Sequence, residues 1–155
     1  MLRPRPRIRR ARGGRFELRL PAEERTILKS LPGQLLALLE EGDSSLARLF
    51  PPAYVDDPER DSDFHHLMHD DLLAHRRACA ELLAATAERA ELSADELAGW
   101  LGALNDLRLV LGTRLDVGED LAELPHDHPD AGAVALYQYL GWLQEQVVAA
   151  LDPEY

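Results

Sequence analysis

Leucines return at three- and four-residue intervals through most of this chain, and four stretches keep that rhythm long enough to predict helices. The most informative runs from Ser93 to about Val117. Leu97, Trp100, Leu101, Leu104, Leu111 and Leu115 fall on one broad face. Ser93 followed by Glu96 is a capping-box pattern at its start. Set inside the apolar frame are Asn105, Asp106, Arg108, Thr113 and Arg114, with two glycines, Gly102 and Gly112. Each glycine costs a helix interior ~1 kcal/mol relative to alanine, so each suggests the close approach of a neighbouring element. We call this stretch the hub helix.

The other three are read the same way. Pro21 opens a first long helix, with Ala22-Glu-Glu as an acidic first turn. Ile27, Leu28, Leu31, Leu35, Leu38 and Leu39 form its stripe, and Gly42-Asp43 ends it. Pro32 removes a backbone donor within the pattern and predicts a kink or split near Ser30. Ser44 or Ser45 caps a short helix from Leu46 to Phe50, stopped by Pro51-Pro52. After an acidic surface loop, Asp61 or Ser62 starts the second long helix, which runs to about Ala90. Its core residues are Phe64, Leu67, Met68, Leu72, Cys79, Leu82 and Leu83. The last helix spans Asp130 to Leu151, with Val134, Tyr137, Leu140, Leu143, Val147 and Leu151 inward.

The period changes at the N-terminal end. Arg15-Phe-Glu-Leu-Arg-Leu20 alternates strictly, with Phe16, Leu18 and Leu20 on one side and Glu17 and Arg19 on the other. Gly13-Gly14 marks a turn, so these residues and Arg7 to Ala11 form a small hairpin laid on the helical body. A lone hairpin is marginal in water, so its apolar face must dock. The Arg-Pro alternation of residues 1–12 predicts an extended basic arm. The fold class is therefore mainly α: four main helices plus one short helix, with a small N-terminal β-hairpin. Residues 1–12 are the arm, and 7–151 form a single helical domain that includes the hairpin.

A length of 155 residues suits one such domain, and few β-branched residues among many leucines and alanines favour helix. No apolar run approaches the ~20 residues that span a bilayer, and no apolar leader core is seen, so the default location is the cytoplasm. The net charge of −11 is unevenly divided. Residues 1–19 hold eight arginines against one glutamate, and residues 20–155 hold nine basic against 27 acidic side chains. Such a body repels phosphate backbones and suits a basic partner, which leaves direct nucleic-acid binding to the arginine arm alone.

The chain shows little catalytic or cofactor chemistry. His65 and His69 share a helix face at metal-ligand spacing, and His126 and His128 in the loop LPHDHPD are the available complements. There is no HExxH motif, so solvated histidines are the plainer reading, and no metal or other cofactor is expected. Cys79, the single cysteine, excludes an intramolecular disulfide and reads as a small buried hydrophobe. Any redox role for it needs sulfenic acid, a mixed disulfide or a second subunit. No Ser/His/Asp or Cys/His set has motif context, so no enzyme activity is read.

The polar insertions carry the functional question. The run from Trp100 to Asp116, WLGALNDLRLVLGTRLD, resembles the signature of an actinobacterial family named after the oxidative-stress transcriptional regulator AosR. Leu46-Ala-Arg-Leu-Phe-Pro-Pro-Ala-Tyr54, Asp70-Asp71-Leu72 with Arg76, and Leu140-Gly-Trp-Leu-Gln-Glu145 match in order, and the resemblance spans roughly residues 15–151. It implies a regulator without a known active site, a coactivator that contacts an alternative sigma factor or RNA polymerase. Asp70, Asp71, Arg76, Trp100, Asn105, Asp106, Arg108, Arg114 and Glu145 are then the residues of interest. They are internal ties, such as an aspartate of the second helix paired with Arg108 or Arg114, or one docking patch for a protein partner, or the lining of a small-ligand pocket. The alternative to a regulator is an adaptor module, or a homodimer through the hub helix, with no transcriptional role.

Overall fold

The computed structural model describes residues 5–42, 49, 58–115 and 129–152, with the side chains of residues 58 and 60–69 excepted. The order of elements is β1 (Ile8–Arg10), β2 (Arg15–Leu18), α1 (Ala22–Glu41), α2 (Pro58–Thr86), β3 (Glu91–Ser93), α3 (Ala94–Leu115) and α4 (Ala131–Leu151). The fold is mainly α, as the leucine rhythm predicts. α3 is the hub helix. It packs on α4 along one side and on α2 along the other, while α1 lies mainly on α2.

The hairpin forms as its alternation requires. Ile8, Phe16, Leu18 and Leu20 are buried, each 7% exposed or less. The chain reverses through a 3-10 turn over Arg12–Gly14 in which Gly13 and Gly14 take φ of 70° and 71°. Side chains other than glycine rarely adopt that backbone, which is why the pair stands there. The hairpin is not alone, however. β3 adds to β2, with Phe16 opposite Leu92, and makes an antiparallel sheet in the order β1-β2-β3. The third strand covers the edge of β2, and the apolar face docks on the helices, β1 against α4 and β2 against α3.

Two boundaries differ from the expectation. Pro32 does not split the first helix: α1 runs unbroken from Ala22 to Glu41. The pyrrolidine ring is fully buried, so packing offsets the missing backbone bond. α2 begins at Pro58 and stops at Thr86, short of Ala90. The carbonyls beyond Thr86 are engaged elsewhere: Ala90 accepts from the Leu18 amide, and Ala87 and Arg89 accept from the Arg25 guanidinium. The short helix expected at Leu46–Phe50 lies outside the described residues except for Leu49, which is buried.

The capping box at the start of α3 is complete. The Glu96 amide donates to Ser93 Oγ at 3.1 Å, and the Ser93 amide donates to Glu96 Oε1 at 2.9 Å. The Ser93 amide is the main reason the Glu96 carboxyl sits below its ordinary range, and Arg89 adds to it. Ser93→Ala is expected to cost about 1 kcal/mol, read as a lowered urea midpoint at unchanged slope.

Candidate functional site

The charged residues of the hub helix separate into an inner and an outer set. Asp106 is 2% exposed, on the side of α3 that faces α2. It pairs with Arg76 of α2, whose other terminal nitrogen donates to the Leu49 carbonyl at 2.9 Å. One guanidinium thus ties α3, α2 and the chain ahead of α2. The expectation of an aspartate on the second helix reaching an arginine on the hub is reversed: the arginine is on α2 and the aspartate on α3. Burial lifts the Asp106 carboxyl to about 6, and the positive charge of Arg76 opposes the lift.

Cys79 lies beside this tie. Its Sγ is 3.7 Å from His75 Nε2, one turn earlier on α2. A Cβ added at Gly102 would come within 3.2 Å of the same sulfur, so Gly102 leaves room for it between α2 and α3. Burial, then the negative charge of Asp106, raise the thiol above its ordinary range. A thiol held protonated in this way is a poor nucleophile. Trp100 is wholly buried; its indole N–H donates to Thr86 Oγ1 at 2.7 Å, and Thr86 donates on to the Leu82 carbonyl.

The outer set faces away from this core. Arg108 leans across α4: its guanidinium lies 4.9 Å from the Tyr137 ring centre, over Gly141. A Cβ at Gly141 would fall 3.1 Å from Arg108 Nε, so the glycine makes the seat. One turn away, Gln144 Nε2 donates to Asn105 Oδ1 at 3.5 Å. Asn105, Arg114, Glu145, Asp70 and Asp71 are exposed. Asn105 and Arg108 thus share one side of α3 with Glu145 of α4 nearby, Arg114 stands a turn and a half further on, and Asp70 and Asp71 lie on α2.

On the α1 side of α3 the helices leave an aliphatic groove of about 340 Å³. Leu31, Leu38, Leu107, Leu111 and Leu136 are among its walls, and Glu41 and Arg114 stand at its rim. A volume of this order admits a small ligand or a few side chains of a partner. Among the described residues, no group of three or more His, Cys, Asp or Glu side chains is placed to hold a metal. The side chains of His65 and His69, and residues His126 and His128, lie outside the described set. No helix among the described residues is long and apolar enough to cross a membrane.

Two arginines of the basic arm, Arg7 and Arg10, are structural, as are Arg15 and Arg19 of the hairpin's second flank. Arg7 pairs with Glu24 of α1 at 3.1 Å and lies 5.3 Å from the Trp142 ring centre. Arg10 donates to the Ala150 and Leu151 carbonyls, neutralising the C-terminal end of α4. Arg15 pairs with Glu91, and Arg19 with Glu17. Arg25 was not singled out at all, yet it donates to the carbonyls of Leu18, Leu20, Ala87 and Arg89. The signal for Arg10 was its place on the inward side of an alternating strand; Arg25 left none.

These features define a four-helix domain with a three-stranded sheet at one end, an ion pair inside it and polar side chains grouped on its outer helical face. The chain belongs to a family described as "Domain of unknown function (DUF2017)", whose model matches residues 5–151. It is 30% identical to proteins named "Oxidative stress regulator AosR" from Mycobacterium tuberculosis and Mycobacterium bovis, over 94% of this chain and 86% of theirs. A "Putative oxidative stress regulator AosR" from Mycobacterium leprae is 32% identical over the same shares. These alignments run over 187 residues, longer than the 155 of this chain, so the relatives carry insertions that it lacks. No solved structure matches.

Proposed function

We propose that this chain is a non-enzymatic regulator of transcription that works by binding a protein partner, and that the partner's site is the groove between α1, α3 and α4. The groove carries the reading: its walls are mainly aliphatic, and they include Glu41 and Arg114 at the ends of α1 and α3. Glu41 lines the groove, with Glu40 beside it in the last turn of α1, and in the sequence Asp43 follows α1 while Asp116, Glu119 and Asp120 follow α3. An amphipathic helix with leucine-like anchors and basic flanks is the complement of such a groove. The names of the relatives support a regulatory role, and the resemblance points to a sigma factor or RNA polymerase as the source of that helix.

The test is titration of the purified chain with sigma factors and polymerase from the organism that carries the gene. Wild type is expected to bind one of them with an affinity that falls as salt rises. Glu41→Lys, at an exposed rim position, is expected to weaken binding several-fold, and Leu38→Lys about tenfold or more. No salt-sensitive binding to any of them, or binding indifferent to both substitutions, overturns the reading.

A further inference from the structure

We propose that the outer face of α3 and α4 is a contact between two copies of this chain, with Arg108 of each copy set against Glu145 of the other.

The first observation is a gap in the charge pattern. α4 carries one charged side chain, Glu145, in 21 residues, where the chain's 29% charged share would place about six. α3 behaves alike: between Glu96 and Arg114 its charged residues are Asp106, turned inward to Arg76, and Arg108. The face left between the helices shows Asn105, Gly141, Gln144 and Val148, the last 36% exposed. Loss of charge over a solvent-facing surface marks the centre of protein interfaces.

The second observation is the sign of what charge is left. A two-fold contact uses the same patch twice, so the patch must complement itself. One cation and one anion on an otherwise uncharged face meet that condition, since each Arg108 finds a Glu145 and the pairing occurs twice. Arg108 has no ion pair among the described residues, and Tyr137 and Gly141 already hold its guanidinium in place. Little side-chain freedom is therefore lost when a carboxylate arrives. The net charge of −11 adds a reason for the location. Two acidic bodies repel wherever their carboxylates meet, and on this charge-poor face each copy brings Glu145 together with Arg108. It lies away from the groove of the proposed function, on the far side of α3, so the two readings stand or fall separately.

The experiment is sedimentation equilibrium on the full chain over a wide concentration range, with Arg108→Glu, Glu145→Arg and the doubly exchanged variant. Thermal melting of each serves as a folding control. Wild type is expected at twice the chain mass. Each single reversal is expected to raise the dissociation constant at least tenfold, and the double exchange to bring it back near wild type. If Arg108→Glu melts far below wild type, Glu145→Arg, at an exposed position, decides alone. A wild type that stays monomeric throughout overturns the proposal and leaves the face to a different protein. So does a Glu145→Arg variant that dimerises as well as wild type, or a well-folded double exchange that does not recover.

Discussion

Arg76→Met is expected to destabilise the protein by about 3–5 kcal/mol, because it leaves Asp106 buried without its counter-charge. It also frees the Leu49 carbonyl, which Arg76 holds. Replacing both partners, as Arg76→Met with Asp106→Leu, is expected to recover most of the loss, since an apolar pair carries no desolvation cost. The same pair sets a pH dependence whose sign follows from burial. The folded carboxyl titrates near 6, against an ordinary 3.8. The native state therefore holds the proton more tightly than the unfolded chain, and this group's contribution falls as pH rises through that window. Wild type is expected to be more stable at pH 5 than at pH 7 by about 1 kcal/mol from Asp106, and Asp106→Asn to lose that difference. Urea titrations at the two pH values check both statements. A stability that climbs from pH 5 to 7 and flattens in Asp106→Asn would show that Arg76 outweighs burial.

Trp100→Ala is expected to cost about 3–5 kcal/mol, which for a domain of this size lowers the melting temperature by roughly 10 °C or more. The indole is wholly enclosed and hydrogen-bonded to Thr86 at the end of α2, so its loss opens a cavity that rigid helices cannot close. Trp100→Phe is expected to cost clearly less. It keeps most of the volume, and Thr86 loses a donor to its hydroxyl but keeps its own bond to the Leu82 carbonyl. Equal melting of the two variants would mean that the hydrogen bond, not the volume, carries the energy.

What could be read beforehand was local. The capping box needs Ser93 and Glu96 three residues apart, and both of its hydrogen bonds form. The alternation Phe16, Leu18, Leu20 set the buried side of the hairpin, and Gly13-Gly14 set its turn. The last helix was placed to within a residue. What could not be read depends on partners far along the chain. β3 is three residues long, too short for an alternation to show, and exists because β2 needs a neighbour. Pro32 looked like a break because its cost is local, while the burial that offsets it comes from elsewhere. The polar set at the hub was visible as residue types, but nothing in the spacing says that Asp106 turns in toward Arg76 while Arg108 turns out toward Tyr137. Cys79 is legible in the other direction: one cysteine in an apolar helical run reads as packing, and the structure gives it a tight seat against Gly102.

Arg10 reaches 140 residues along the chain to close the end of α4, and the Arg7 amide reaches almost as far to Gln146. During synthesis the hairpin is therefore made before the elements that complete it. Its two strands can pair as soon as they leave the ribosome, but β3 must follow before the sheet is whole, and α4 before Arg10 has carbonyls to hold. Until then a small strand edge and the apolar side chains of Ile8, Phe16 and Leu18 stand open. The arginines crowded into the first 19 residues are well placed to keep that waiting segment in solution, since like charges discourage the edge-to-edge pairing of neighbouring nascent chains.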